Sequence, residues 1–448
     1  MARVAALPDG TNTFRHPALA RMLVLAVLLS GCQGGLQPPS MMAFGRGSAP
    51  SDPAIAGRLV PESGTASSII ADLAARPSVL PDGSAYARVV HAVTTAAPGV
   101  EAAELGLARL REDIAKRNRW PTLTPSLTLD GLAGLAAQLV IDQPLLDHGR
   151  RTAERARAAA EVDLAAVTLS ARANDRAFAG LSLYLTAEQA RVQGGIATGA
   201  AARLDGLRKI VAERVAGGLS DRSEEQVIAQ TVAEMQATLL SDRQTRAQAL
   251  SDLAALANVA PPEDLAGLAD IPPPSGADPI PVLRARAEGA RMLAEARIAR
   301  AAALPGLSAG ATLTEDRAVP GLRIGGAQIS AGSPAALAAA DAAPDLVARK
   351  TADAEQAAAR RRTELQGRID SLRSRRAQGA EVLRQTKSNL ELYVEQYRMG
   401  RRSLTDLTAQ TAATARLERD QAAIDFEIAR AQLELARDAG MLVSGGSL

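Results

Sequence analysis

Aromatic residues are scarce in this sequence of 448 residues, where phenylalanine, tyrosine and tryptophan together make up 2%. The hydrophobic fraction is 47%, but alanine supplies much of it. A thick globular core usually contains aromatic side chains, whereas alanine lets helices pack closely side by side. The composition therefore favours packed helices over a compact globular domain.

A strong charge of one sign is also missing, because 51 basic and 49 acidic residues give a formal net charge of +2. This balance argues against nucleic acid as a partner. The single cysteine, Cys32, excludes a disulfide within one chain. His91 and His148 stand outside any setting of carboxylates and cysteines, and no nucleophile elbow, phosphate loop or metal spacing occurs. We expect no enzyme activity, no metal and no cofactor.

Residues 1–31 have the order of a secretory signal peptide. Arg15, His16 and Arg21 precede the apolar run at 22–29, which is too short to span a bilayer as a helix. The run ends in Leu-Ser-Gly-Cys, which resembles the processing box of bacterial lipoproteins and makes Cys32 the lipidated residue. By the sorting habit of such lipoproteins, the following glutamine rather than aspartate implies the outer membrane. Residues 32–84, rich in Pro, Gly, Ser and Ala, are predicted to be a tether.

The body begins with apolar residues at helical spacing over residues 89–114, a pattern that ends at Pro121. Residues 122–130 then alternate apolar and polar side chains, which predicts a strand with two different faces. Its length suits a tilted strand across a bilayer. We expect an outer turn at 131–134 and a return strand at 135–145.

Two polar turns separate long helical segments. In the turn at 399–404, Gly400 can adopt the positive φ of a helix C-cap and Ser403 can cap the next helix. A weaker copy, Ala-Gly-Gly-Leu-Ser, occupies 216–220. Both turns are predicted to be tips of antiparallel helical hairpins, and Asp147 is predicted to cap the helix that leads to the first tip.

A near-constant offset relates the two halves of the chain, and it predicts a tandem repeat of helix, strand, turn, strand, long helix, tip and long helix. The repeats are residues 85–268, with strands at about 122–145, and residues 269–448, with strands at about 306–331. The offset is 184 for Pro121 with Pro305 and Leu129 with Leu313, and 183 for Gly217 with Gly400, Asp242 with Asp425, and Leu250 with Leu433.

The long helical segments are predicted at 149–216, 220–256, 335–399 and 403–442, which is roughly 50 to 100 Å at about 1.5 Å per residue. The last carries apolar residues at heptad-like spacing, which favours a coiled-coil partner. These residues are Leu417, Ile424, Ile428, Ala431 and Leu435.

Four strands and duplicated hairpins behind a lipoprotein-type signal resemble the TolC family of trimeric outer-membrane channels. The most specific motifs are QPLLDHGR at 143–150, similar to the family's strand-exit motif, and the tip YRMGRRSLTD at 397–406. The resemblance implies a mainly α fold with a membrane β-barrel part, in which three chains join their strands into one twelve-stranded barrel. The second repeat has no clear counterpart of the strand-exit motif.

The resemblance also implies functional residues at the tips. Tyr397, Arg402 and Asp406 match family positions that hold the inner end of the tube shut. The tips would contact a periplasmic adaptor (membrane fusion) protein, through Gly217, Gly218, Leu219 and Ser220 in the first repeat and Met399, Gly400, Ser403 and Leu404 in the second. The alternatives are ordinary turns and a local Arg402–Asp406 pair worth about 0.3 to 0.5 kcal/mol.

Two functions from different classes follow. The first is a passive, lipid-anchored, trimeric exit duct in the outer membrane, driven through an adaptor by a proton-driven or ABC pump of the inner membrane. Its cargo would be small molecules, as in efflux, or a polypeptide, as in type I secretion. The alternative is a periplasmic coiled-coil lipoprotein without a pore, either structural or itself an adaptor. An adaptor needs one hairpin and a lipoyl-like β domain, whereas this sequence predicts two hairpins and no such domain.

Overall fold

The computed structural model describes residues 67–97, 99–129, 135–218, 221–260, 266–314, 317–325 and 333–447. In chain order the elements are α1 (Ser68–Ala75), α2 (Ala85–Thr95), α3 (Val100–Lys116), β1 (Thr122–Leu129), β2 (Leu135–Leu146), α4 (Arg150–Ala216), α5 (Arg222–Ala257), α6 (Ile280–Ala302), β3 (Gly306–Thr314), β4 (Ala318–Gly325), α7 (Ser333–Arg398) and α8 (Leu404–Asp438). The prediction of a mainly α chain with four strands and two long hairpins is confirmed. Within these residues, no helix is both long and apolar enough to cross a membrane.

The four strands form one antiparallel sheet in the order β1-β2-β3-β4. Thr122 pairs with Asp142, and Asp142 with Gly310, so polar and small residues share one face. Leu123, Ile141 and Ala311 pair in the next row and occupy the opposite face, as alternation along strands requires. The sheet therefore has one apolar and one polar face.

The edges of this sheet, β1 and β4, have no further strand beside them among the described residues. Every residue of β4 is exposed, including Leu322 and Ile324, which are 72% and 80% exposed. Large apolar side chains on a sheet usually lie against a second layer or a lipid phase. The sheet of one chain is consequently open at both edges and uncovered on its apolar face.

Two central helices, α4 and α8, carry most of the core. Helix α4 packs against α1, α2, α3, α5, α6 and α8. Near its middle, Tyr184 meets Tyr86 of α2 edge to face, with ring centroids 5.8 Å apart, in a cluster that includes Phe426 and Leu433 of α8. The four heptad positions from Ile424 onward are buried, as predicted, and Leu417 is half-buried.

The residues after 66 depart from the predicted tether, because α1 and the segment behind it are packed on the body. Arg76 is 4% exposed, and its guanidinium donates to the carbonyl oxygens of Ala439 at 2.7 Å and Asp278 at 2.8 Å. The amide of Gly445 donates to the carbonyl oxygen of Arg76. One buried arginine thus joins the N-terminal segment to α8 and to the start of α6. The predicted signal and most of the tether lie outside the described residues.

Two local predictions about the helices are corrected. The helical pattern from 89 to 114 is two helices, because Gly99 adopts φ 70° at the start of α3. Asp147 is not the N-cap of α4; Gly149 is, at φ 82°. The Asp147 carboxylate still accepts hydrogen bonds from the Gly149 and Arg151 amides at 3.0 and 2.9 Å, because His148 and Gly149 both turn into the left-handed region.

The observed strand limits also differ from the predicted ones. The first pair ends at Leu146, and the second pair, expected to reach 331, ends at Gly325 in the described part. The predicted outer turn at 131–134 lies outside the described residues.

Candidate functional site

The two hairpin tips share the conformation of one glycine. Gly218 and Gly400 both adopt φ 72°, the left-handed conformation that glycine enters without a Cβ penalty. At the second tip, the amide of Gly400 donates to the Tyr397 carbonyl at 2.9 Å and that of Arg401 to the Gln396 carbonyl at 2.8 Å. This pair of bonds is a Schellman motif, which closes a helix end. The predicted C-cap role of Gly400 is confirmed.

The predicted N-cap at the second tip is also confirmed, since the Ser403 hydroxyl accepts from the Asp406 amide at 3.1 Å. At the first tip the capping residue of α5 is Asp221. Gly218 therefore corresponds to Gly400 and Asp221 to Ser403, and the offset at the tips is 182 (400 − 218). The predicted pairing of Gly217 with Gly400 was one residue out, because two adjacent glycines offered two alignments.

An apolar cluster lies behind the tips and spans both hairpins. Leu404, the first residue of α8, is 1% exposed and packs in a cluster with residues of α4 and α5. The other members include Leu204, Val211, Ile228, Val232 and Met235, with Tyr397 partly buried against them. Leu404 is therefore a packing residue in this chain, whereas Met399 is 59% exposed.

Tyr397 joins the two hairpins near their tips. Its hydroxyl accepts a hydrogen bond from Nη1 of Arg214 at 3.2 Å, and the Arg214 guanidinium lies 5.9 Å from the Tyr397 ring centroid. Arg214 is in the last turn of α4, 183 residues before Tyr397. Sequence reasoning missed Arg214, because the contact joins two different hairpins and no local pattern signals it.

Arg402 makes three contacts within the second hairpin. Its guanidinium stacks on the Tyr393 ring at 4.5 Å, its Nε donates to Gln396 Oε1 at 3.1 Å, and its Nη1 lies 4.0 Å from an Asp406 oxygen. The Arg402 and Asp406 side chains are 42% and 50% exposed, so water screens their attraction. The structure thus brings the three predicted gate residues to one tip, with Tyr393 and Gln396 as unpredicted neighbours of Arg402.

The remaining predicted site residues are placed as follows. Gly217, Gly218, Met399, Gly400 and Ser403 are exposed at the tips. Leu219, Ser220 and the predicted lipidation residue Cys32 lie outside the described residues. His148 has its Nε2 2.9 Å from the carbonyl oxygen of Pro305. In the part of the chain that the structure describes, no group of three or more His, Cys, Asp or Glu residues could hold a metal ion.

Comparison with known proteins gives similarity at the level of fold. No family model and no curated protein matches the sequence. Among solved structures, a membrane protein from Pseudomonas aeruginosa superposes with a TM-score of 0.70 at 16% identity, covering 82% of this chain and 92% of that one. The outer-membrane channel OprN gives 0.68 at 17% identity, covering 82% and 93%.

A third structure, CusC, described in terms of transmembrane channel formation, gives a TM-score of 0.68 at 15% identity over 81% of this chain and 93% of that one. Each superposition covers more than nine tenths of the solved chain. The chain has the fold of TolC-like outer-membrane channels, as the sequence motifs had indicated.

Proposed function

We propose that the protein is a trimeric outer-membrane channel, the passive exit duct of a tripartite efflux or type I secretion system. The observation that carries this proposal is the four-stranded sheet with two open edges and an uncovered apolar face. Backbone groups at an open edge cannot be left unpaired in lipid. Three copies joined β4 to β1 would pair every edge and form a closed barrel of twelve strands.

The polar face of the sheet supports the same assembly. In a closed barrel, Leu322 and Ile324 face lipid, while Thr122, Asp142 and Arg323 face an aqueous lumen. Helices of 67 and 66 residues would extend about 100 Å from the barrel at about 1.5 Å per residue. That reach suits a duct through the periplasm.

Pore formation by the purified protein tests the proposal. Full-length protein is extracted in detergent, run on gels with and without boiling, and added to planar bilayers. We expect a species three times the chain mass that collapses on boiling, and discrete conductance steps. A boiling-insensitive monomer without conductance would contradict the channel and would favour the poreless periplasmic lipoprotein.

The second tip is proposed to hold the inner end of the duct shut. Tyr397 ties α7 to α4 through Arg214, and Arg402 and Asp406 lie exposed where neighbouring subunits would meet. Opening requires the second hairpin to move away from the first, so removing these contacts favours the open state.

Single-channel recording of Arg402→Ala/Asp406→Ala tests the gate, with a rise in open conductance expected. Arg398→Ala is the matched control, because it removes an exposed arginine from the same tip without removing either partner. Equal conductance in the double variant and the unaltered protein would contradict the gate. That result would not contradict the pore. It would mean that Arg402 and Asp406 form only a local pair.

Lipid anchoring and partner docking complete the proposal. Cys32 is proposed to carry lipid that holds the duct in the outer membrane, and the exposed tips are proposed to contact a periplasmic adaptor linked to a proton-driven or ABC pump. Cys32→Ala should lose radiolabelled palmitate, whereas Gln33→Asp should keep the label and move to the inner membrane. Retained label in Cys32→Ala would contradict the anchor. Small molecules and secreted polypeptides remain alternative cargoes.

A further inference from the structure

The strands carry two charges only. In the described residues of β1 to β4, Asp142 of β2 and Arg323 of β4 are the sole ionisable side chains. Asp142 shares its row with Thr122 and Gly310, and Arg323 pairs with Ser308. Alternation along the strands therefore puts both charges on the polar face.

The side chains of Asp142 and Arg323 approach each other over the intervening strand β3. Nη1 of Arg323 lies 3.9 Å from Oδ1 of Asp142, although β3 separates their strands. The row of Asp142 continues with Gly310 and Gly321, which offer no side chain in the way. A β-carbon at Gly310 would lie 2.6 Å from the Ile141 carbonyl oxygen, so the close approach of β2 and β3 requires glycine there.

The pair lies where the sheet meets the helices. A cavity of about 490 Å³ opens there, lined by both charges together with Asn118, His148, Arg151 and Glu154. Other charges lining it are held by their own surroundings: Arg150 pairs with Glu154 at 3.0 Å, and Arg151 donates to the Arg119 carbonyl. Asp142 and Arg323 have no other side-chain partner within the described residues.

Stability does not account for this arrangement. The two side chains are 32% and 68% exposed, and an ion pair at this separation and exposure contributes little to folding. A charge on a strand's polar face does, however, act strongly on ions passing through a confined aqueous path.

We propose that Asp142 and Arg323 form a neutralised charge ring at the inner mouth of the barrel and set the ion selectivity of the duct. This inference rests on the proposed trimeric pore, in which three such pairs surround the path. Each arginine masks one carboxylate, so the unaltered ring is nearly neutral. Loss of one partner exposes three like charges to the lumen.

Reversal potentials in planar bilayers under a potassium chloride gradient test the proposal. Arg323→Gln should raise the potassium-to-chloride permeability ratio several-fold, and Asp142→Asn should lower it several-fold. The double variant Asp142→Asn/Arg323→Gln is the matched control, and it should return to the ratio of the unaltered channel. The variant with exchanged charges, Asp142→Arg/Arg323→Asp, should also keep that ratio. It serves as a second neutral channel for comparison if a single variant fails to assemble.

The outcomes separate this inference from the channel itself. Opposite shifts that cancel in the double variant support the charge ring. Pores with one permeability ratio in every variant overturn it and leave the channel intact. If the unaltered protein forms no pore, the channel is contradicted, and the charge ring is overturned with it.

Discussion

The long helices of the two repeats, α4 and α7, have nearly the same length but very different surroundings. Helix α4 has 67 residues, of which 22 are buried, and α7 has 66 residues, of which five are buried. In the described part of the chain, helix α7 packs mainly against α6 and α8, whereas α4 packs against six other helices. The two hairpins thus share one topology but differ in burial. The first hairpin supplies its first long helix, α4, to the core, and the second supplies its second, α8.

The exposed side of α7 carries apolar side chains that a lone helix would not present to water. Leu346, Val382 and Leu392 are each about half exposed, at 47%, 51% and 51%. Scattered exposed leucines are common, but α4 has only one large apolar side chain at this level, Ile210 at 49%. In the proposed trimer, α7 would therefore be the helix that faces a neighbouring subunit.

Two aspartates at equivalent positions of the repeats show the same contrast in burial. Their substitution gives the largest predicted effect on stability. Asp242 of α5 accepts two hydrogen bonds from Arg419 of α8, at 2.5 and 3.0 Å, with side chains 11% and 17% exposed. Asp242→Ala leaves the buried guanidinium without its carboxylate, with only the Gln193 carbonyl oxygen, among the described residues, still accepting from it at 2.7 Å. We therefore expect a loss of about 3 to 5 kcal/mol in the free energy of unfolding. Thermal unfolding followed by circular dichroism measures it.

Asp425 of α8, 183 residues later, is the matched control. It pairs with Arg376 of α7 at 3.2 Å, but these side chains are 43% and 52% exposed. Asp425→Ala should therefore cost only about 0 to 1 kcal/mol. Equal losses in the two variants would contradict the assignment of α4 and α8 to the interior and α7 to the periphery.

Substitution of the tip glycines should cost the same stability in both hairpins, despite the difference in packing between them. Gly218 and Gly400 share φ 72°, and a β-carbon at either position would meet no atom within 4 Å. Alanine at each position should therefore cost about 1 to 2 kcal/mol, all from left-handed backbone strain. Chemical denaturation of both variants checks this. A much larger loss at one tip would mean that its turn also packs against other residues, and it would contradict backbone strain as the sole cause.

A smaller effect on stability is expected at Asp163 of the densely packed helix α4. Burial raises the pKa of this carboxyl to about 6, with Glu112 adding to the rise and a hydrogen bond with Ser67 opposing it. Because the folded pKa exceeds the unfolded value, the folded state binds more protons, and stability falls as pH rises from about 4 to 6.

Asp163→Asn removes that penalty, so it should raise stability at pH 7 by about 1 kcal/mol, after allowance for partial exposure, and leave it unchanged at pH 4. Melting temperatures across this range report the difference. Asp205→Asn is the control, since Arg208 lowers the pKa of that exposed carboxyl and its loss should not stabilise the protein. A pH-independent effect of Asp163→Asn would contradict the burial explanation.

Local chemistry in the sequence predicted the turns and strands well. Gly400 and Ser403 cap the second tip because caps depend on backbone and side-chain geometry within a few residues. The strand beginning at Thr122 follows from strict alternation. The break at Gly99 was also a local signal, since Pro-Gly precedes Val100 in the sequence.

Contacts between distant residues could not be predicted in this way. Arg419 donates to Asp242 across 177 positions, and no pattern near either residue in the sequence predicts this contact. Arg76, in a segment predicted to be a tether, is bound by carbonyl groups more than 200 positions away. The Asp142–Arg323 contact needs the register of three strands, which alternation alone does not fix.

The most direct test of the central claim is to cross-link the open edges of the sheet. Cys32 is kept, because its thiol carries lipid in the proposed anchor. Ser126→Cys on β1 is combined in turn with Val319→Cys and Gly321→Cys on β4, on the same polar face. After oxidation and denaturation, we predict a ladder of dimer and trimer for the pair in register, with nothing larger. Absence of cross-links in every pair, or a ladder that continues past three, would contradict a closed barrel built from three chains.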